Sequence, residues 1–209
     1  MRSTSVLNSG EGKSALSDLR STTWEDGAAK KFRFSSENSL NRQATDVVDG
    51  NAERKSGAVS VSLRKPTGKS FSIAADAVFP TEHMRRILIA AHAGKKILDV
   101  KVYDGSETGE KLYNTLTVIG AAIAAGEKAP QDAAAKVPAL SAQQRWPVTI
   151  SYFEQNRKGD GRGEQTPAYS ISFELYENGV SRALTLDYND FVISGEMTGL
   201  EISKAKPCP

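Results

Sequence analysis

The feature that most constrains this chain is the strict alternation on either side of Asn178-Gly179. Before it, Tyr169, Ile171, Phe173 and Leu175 alternate with Ser170, Ser172, Glu174 and Tyr176. Period-two alternation marks a strand with one buried face. Asn-Gly is the dipeptide that most readily takes positive φ at both centres of a tight hairpin turn. A two-residue turn here sets Phe173 opposite Leu184, Ile171 opposite Leu186 and Tyr169 opposite Tyr188. On the other face Ser172 meets Thr185 and Glu174 meets Ala183, and a one-residue slip would spoil both faces. A second turn at Asn189-Asp190 places Phe191 against Tyr188 and Ile193 against Leu186. Three strands then share one apolar face, each cross-strand pair adding about 0.2–1 kcal/mol beyond burial. The alternation changes phase at Gly195 and Gly199, as a bulge would cause, and resumes with Leu200 and Ile202.

Weaker versions of the pattern lie upstream. Trp24 and Phe32 flank an Asp26-Gly27 turn, with Thr22 and Phe34 as the next pair. Val59, Val61 and Leu63 precede a turn-rich segment at 64–69, and Phe71 and Ile73 follow it. Leu98, Val100 and Val102 run into Asp104-Gly105-Ser106, and Leu112, Leu116 and Val118 form a face of the returning strand. Val148, Ile150 and Tyr152 begin another. About ten strands exceed the usual sheet of five or six. Such a set must close into a barrel or fold into a sandwich to hide its edges. One helix is predicted over 81–93, capped by Thr81, apolar at Met84, Ile87, Leu88 and Ala91, and ended by Gly94. The polar segment Glu37–Gly57 reads as a long loop, and the alanine-rich stretch Gly120–Leu140, with Pro130 and Pro138, reads mainly as a mobile connection with room for one or two short helices. The expectation is a single β-rich domain over 1–209.

Little in the chain points to catalysis. Lys and Arg number 27 against 25 Asp and Glu, and the basic residues fall in scattered pairs, so no stripe for nucleic acid is visible. The longest apolar run, Val118 to Gly126, is far short of the ~20 residues that span a membrane. His83 and His92 stand nine residues apart on the helix, on roughly opposite sides, and read as ordinary helix-surface or helix-end histidines. Gly159 to Gly163 lacks the Lys-Ser/Thr pair of a phosphate loop, and Asp104 to Glu107 lacks the spacing of a calcium loop. Glu174 and Asp187 are the nearest thing to an acidic pair, with no base beside them. No enzyme, metal or cofactor is therefore expected. The aromatic residues Trp24, Phe32, Phe34, Tyr169, Phe173, Tyr188 and Phe191 fall on apolar strand faces. They either pack a core or line a lipid-sized cavity, and the sequence leaves both open.

Five strings in order then resemble a known family: 16–26 (LSDLRSTTWED), 79–83 (FPTEH), 103–106 (YDGS), 177–182 (ENGVSR) and 186–191 (LDYNDF), followed by the single cysteine, Cys208. Together they are similar to the EipB-type cell-envelope integrity proteins of Gram-negative bacteria. The resemblance implies a many-stranded, incompletely closed antiparallel barrel, or β-spiral, with an architecture like that of lipoprotein carriers. It implies a periplasmic, non-enzymatic protein that supports the envelope by binding an envelope protein or lipid. The alternative is a lipid or lipoprotein carrier with an apolar cavity. Family members also bear a signal peptide and an N-terminal segment whose cysteine bonds to the residue matching Cys208. Met1 to Leu7 has no apolar signal core, so the resemblance leads us to expect an N-terminally shortened chain, with the partner of Cys208 outside it.

Overall fold

The computed structural model describes residues 2–8, 16–40, 43–105, 112–126, 142–154, 166–189 and 192–195. The fold is mainly β, with two antiparallel sheets and, among the described residues, one helix. The chain divides into two compact units. The first holds Met1–His83, Val100–Asn114 and Glu154–Gly161, and the second Met84–Asp99, Thr115–Phe153 and Arg162–Pro209.

The first sheet is a meander of β1 (Arg2–Asn8), β2 (Leu16–Glu25), β3 (Lys31–Leu40), β4 (Gln43–Lys55), β5 (Ala58–Lys65) and β6 (Ser70–Ala74), paired in sequence order. The β2–β3 turn differs from the expected one. Asp26 closes a longer loop, its amide donating to the Lys31 carbonyl at 3.1 Å and its Oδ1 accepting from the Lys30 amide at 2.6 Å. Trp24 therefore pairs with Arg33, whose guanidinium lies 5.4 Å from the indole, and leaves the face that carries Phe32 and Phe34.

The expected loop over Glu37–Gly57 is instead the end of β3 and the whole of β4. Its inward positions include Val48, Gly50 and Ala52, which are too small to stand out as an apolar stripe. Their smallness serves the packing. A Cβ on Gly50 would lie 2.8 Å from the Phe34 ring and 2.9 Å from Leu63. The core of this unit is a stack of rings: Phe32 lies 5.2 Å from Phe34 and 4.8 Å from Phe79, and Tyr103 meets Phe34 edge-on at 5.8 Å. Val59, Val61, Leu63 and Ile73 complete it, as their alternation predicted. Gly105, at φ +74°, lies against Phe34 where no side chain would fit.

Helix α1 (Pro80–His92) has the expected extent, but its start is held from a distance. The Glu25 carboxylate, not Thr81, accepts from the amides of Thr81 and Glu82, the latter at 3.0 Å. A carboxylate at a helix N-terminus also meets the positive end of the helix dipole. At the other end Gly94, at φ +70°, makes the left-handed turn, and the Gly94 and Lys95 amides donate to Ala91 and Ala90.

The second sheet is another meander, of β7 (Ile97–Val102), β8 (Tyr113–Ile119), β9 (Arg145–Glu154), β10 (Tyr169–Tyr176), β11 (Ser181–Asp187) and β12 (Val192–Gly195). Among the described residues each sheet is open, ending on two edge strands rather than closing on itself. In β8 the buried face is Tyr113, Thr115, Thr117 and Ile119, while Leu116 and Val118 are exposed, the reverse of the expected phase. Hydrophobicity alone misled here, because Thr115 and Thr117 are the residues turned inward.

The C-terminal meander keeps its predicted middle and changes at its turn. Ile171 pairs with Leu186, Ser172 with Thr185, and Leu186 with Ile193, as read from the alternation. Near Asn178-Gly179 the loop has three residues, closed by the Tyr176 amide donating to Val180 at 2.9 Å, with Gly179 at φ +84°. The extra loop residue shifts the register by one, and a bulge between Ser172 and Glu174 restores it. Ala183 takes φ +54° in that bulge, and Leu184 is 40% exposed rather than central to the apolar face. Glu174 consequently faces Arg182, not Ala183. Phe191, Gly199, Leu200 and Ile202 lie outside the described residues.

Candidate functional site

The polar face of β9–β11 concentrates chemistry in the second unit. Along β10 this face is Ser170, Ser172, Glu174 and Tyr176, because alternate side chains share one side. The register adds Ser151, Thr149 and Arg145 from β9, and Asp187, Thr185 and Arg182 from β11. Hydroxyls run across the strands: Thr149 and Ser172 are 2.9 Å apart, and Ser151 and Ser170 are 3.1 Å apart. All four are half-buried.

At the Tyr176 end the ladder gives way to charge. Arg145 is 3% exposed and Arg182 4% exposed, whereas arginine is almost never so buried without partners. Arg145 Nε donates to Glu174 Oε1 at 3.2 Å, and the Tyr176 hydroxyl donates to Glu174 Oε2 at 3.2 Å. Arg182 lies across from Glu174 on the neighbouring strand. Burial, then the Glu174 charge beside it, raises the Tyr176 phenol above its ordinary pKa, so it stays a neutral donor at physiological pH. The main chain closes this end of the sheet, with the Asn178 amide on Gln143 Oε1 and the Glu177 amide on the Gln144 carbonyl.

A second concavity lies at the end of α1. A cleft of about 340 Å³ is bordered by His92, Lys95, Lys96, Gln144, Gly120 and Trp146. The His92 ring meets the buried Trp146 ring edge-on at 4.9 Å. Cationic groups at the rim of such a cleft attract anions, and helix-terminal lysines equally serve the helix dipole.

The structure separates most of the residues that the sequence singled out. His92 is exposed at the cleft, while His83, in the first turn of α1, is buried at 2% exposure. Glu174 and Asp187 do not form a pair: Glu174 faces Arg182, while Asp187 faces Ser170 and accepts from the Asn189 amide at 2.9 Å. Among the described residues, no group of three or more His, Cys, Asp and Glu is placed to hold a metal ion. No described helix is long and apolar enough to cross a membrane. Gly159 to Gly163 and Cys208 lie outside the described residues. Phe32 and Phe34 fill the core of the first unit, and Tyr169 stacks between Tyr152 at 4.4 Å and Tyr188 at 5.5 Å. Sequence reasoning passed over Arg145 and Arg182. Their one available signal was Tyr176, an aromatic ring in the polar phase of β10, which already implied that this face is covered at that end.

Comparison with known proteins agrees with this architecture. The sequence model of a family described as EipB-like matches residues 1–204. The chain is 34% identical over 187 residues to a Brucella abortus (strain 2308) protein named cell envelope integrity protein EipB. That alignment covers 90% of this chain and 64% of the relative, so the chain spans less than two thirds of that protein's length. Among solved structures, a beta-barrel-like protein of domain of unknown function DUF1849 from Brucella abortus superposes with a TM-score of 0.82 at 32% identity. The match covers 97% of this chain and 80% of that one.

Proposed function

This chain belongs to the EipB-like family, and from that membership we propose that it supports the integrity of the cell envelope as a non-enzymatic periplasmic protein that binds envelope components. One observation carries the reading: 34% identity, over 90% of the chain, to a relative named for cell-envelope integrity. The charged and hydroxyl-lined face of β9–β11 supports binding at a polar surface. In the first unit Phe32, Phe34, Phe79 and Tyr103 pack against one another, which favours such binding over the sheltering of an acyl chain between these rings. In this reading Cys208 takes the disulfide that the family resemblance implies, with a cysteine outside this sequence.

The test is genetic. Deleting the gene in the bacterium that encodes it should sensitise cells to detergent and to cell-wall antibiotics, and a plasmid copy should restore resistance. Fractionation should recover the protein with periplasmic markers. A deletion strain as resistant as its parent, or a protein found wholly in the cytoplasm, would overturn the reading.

A further inference from the structure

We propose that Arg182 anchors a binding site for a small oxyanion, of the phosphate-ester type, at the closed end of the β9–β11 polar face. This goes beyond the envelope role by naming a place in the molecule and a ligand chemistry.

The engagement of Glu174 is the first support. Arg145 and Arg182 are both at most 4% exposed beside this carboxylate. Its two oxygens are held by Arg145 Nε and by the Tyr176 hydroxyl, groups other than Arg182.

The second support is the hydrogen bonding of Arg182 itself. Its Nε and Nη1 have no partner. The Tyr176 hydroxyl gives its proton to Glu174, the residue that faces Arg182 across the strands. Donors on two edges of the guanidinium are left unused. An unsatisfied buried donor is costly, more so on a charged group. Packing alone would be better met by an apolar residue of similar length. Guanidinium donors match the geometry of phosphate and carboxylate oxygens.

The third support is placement. The β10–β11 bulge is what turns Arg182 onto this face, and Thr185, on the far side of the bulge, still shares it with Ser172. Glu174 is 18% exposed, so water reaches the cluster, and a small ion can follow the same path along the half-buried hydroxyls. Among the described residues β12 pairs with β11 only as far as Leu184 and Gly195, short of Arg182.

The experiment uses the full chain and inorganic phosphate as probe, with sodium chloride at equal ionic strength as control. Calorimetry and melting curves should show saturable binding with one phosphate per chain and a rise in Tm with phosphate concentration. R182Q should weaken binding at least tenfold and R182K by less, while K95A and K96A, at the separate cleft, should leave it unchanged. Vesicles of phosphatidylglycerol and of phosphatidylcholine distinguish the source. Binding to the former alone marks a lipid headgroup, whereas binding of free phosphate without either vesicle marks a soluble anion, and both outcomes support the site. Should R182Q not fold, the Arg182 Nε–H resonance of the unaltered protein, assigned with R182K, decides: a saturable shift on adding phosphate supports the site. No saturable binding, an unmoved resonance, or equal binding by R182Q would overturn it. A negative result would leave the envelope reading to its own genetic test.

Discussion

Phe32, in the first unit, and Arg182, in the second, are both almost wholly withdrawn from water, and opposite means hold them there. Phe32 touches rings on two sides and needs no particular donor, so its position rests on area and shape. Arg182 lies across from a carboxylate whose two oxygens are taken by Arg145 and Tyr176. The first arrangement tolerates any similar apolar volume, whereas the second breaks when one member is lost. An apolar core therefore supplies stability, and a half-satisfied ionic cluster marks where the fold has been arranged for something else.

Phe32→Ala tests the first half of that contrast and has the largest expected effect. Truncating a ring at the centre of the stack should destabilise by about 3–5 kcal/mol, read from chemical denaturation. A loss under 1 kcal/mol would mean that the rings do not form the core of their unit. Glu174→Gln comes next. Neutralising the carboxylate breaks its ion pair with the buried Arg145, and with Glu174 partly exposed the expected cost is about 2–3 kcal/mol. Added phosphate should recover part of the lost stability, and no effect of either change would dissolve the contrast.

Ala183→Gly probes the bulge that delivers Arg182. A non-glycine residue in the left-handed region is strained, so glycine should stabilise by about 0.5–1 kcal/mol, and a destabilised variant would argue against the bulge. Leu184→Asp separates the observed register from the one expected of a two-residue turn. On an exposed bulge residue it should change stability by no more than about 0.5 kcal/mol, where the expected register would bury the charge and unfold the sheet.

The smallest effect is a pH dependence in the first unit. Asp76 accepts from Lys101 at 3.0 Å, and that hydrogen bond holds its carboxyl below the usual aspartate range. A lowered folded-state pKa contributes stability that is present above the ordinary value and lost as pH falls through the lowered one. On an exposed pair this is worth at most about 1 kcal/mol. Asp76→Asn should flatten the acid limb of the stability curve slightly and change nothing at neutral pH beyond that amount.

Much of the second sheet was legible in the residues. Ile171, Leu186 and Ile193 line up because alternation and two short turns leave few other registers. The helix over 81–93 was legible for the same kind of reason, its apolar face and Gly94 being local signals. β4 was not, since its inward Val48, Gly50 and Ala52 make no strong apolar stripe, and the Phe34 ring that requires Gly50 comes from another strand and leaves no local trace. Thr115 and Thr117 concealed the phase of β8 in the same manner.

The sequence by itself determined that this is an antiparallel β protein with a helix over 81–93, which face of its C-terminal meander is apolar, and which family it resembles. Those are properties of period, turn chemistry and local strings. Only the tertiary structure decided that Glu25 holds the start of α1, that a three-residue loop and a bulge carry Arg182 across from Glu174, and that Arg145 and Tyr176 meet the same carboxylate. A bulge inserts one residue and so reverses which neighbour a side chain faces. Its presence depends on how the turn closes in space, which alternation along the chain does not record.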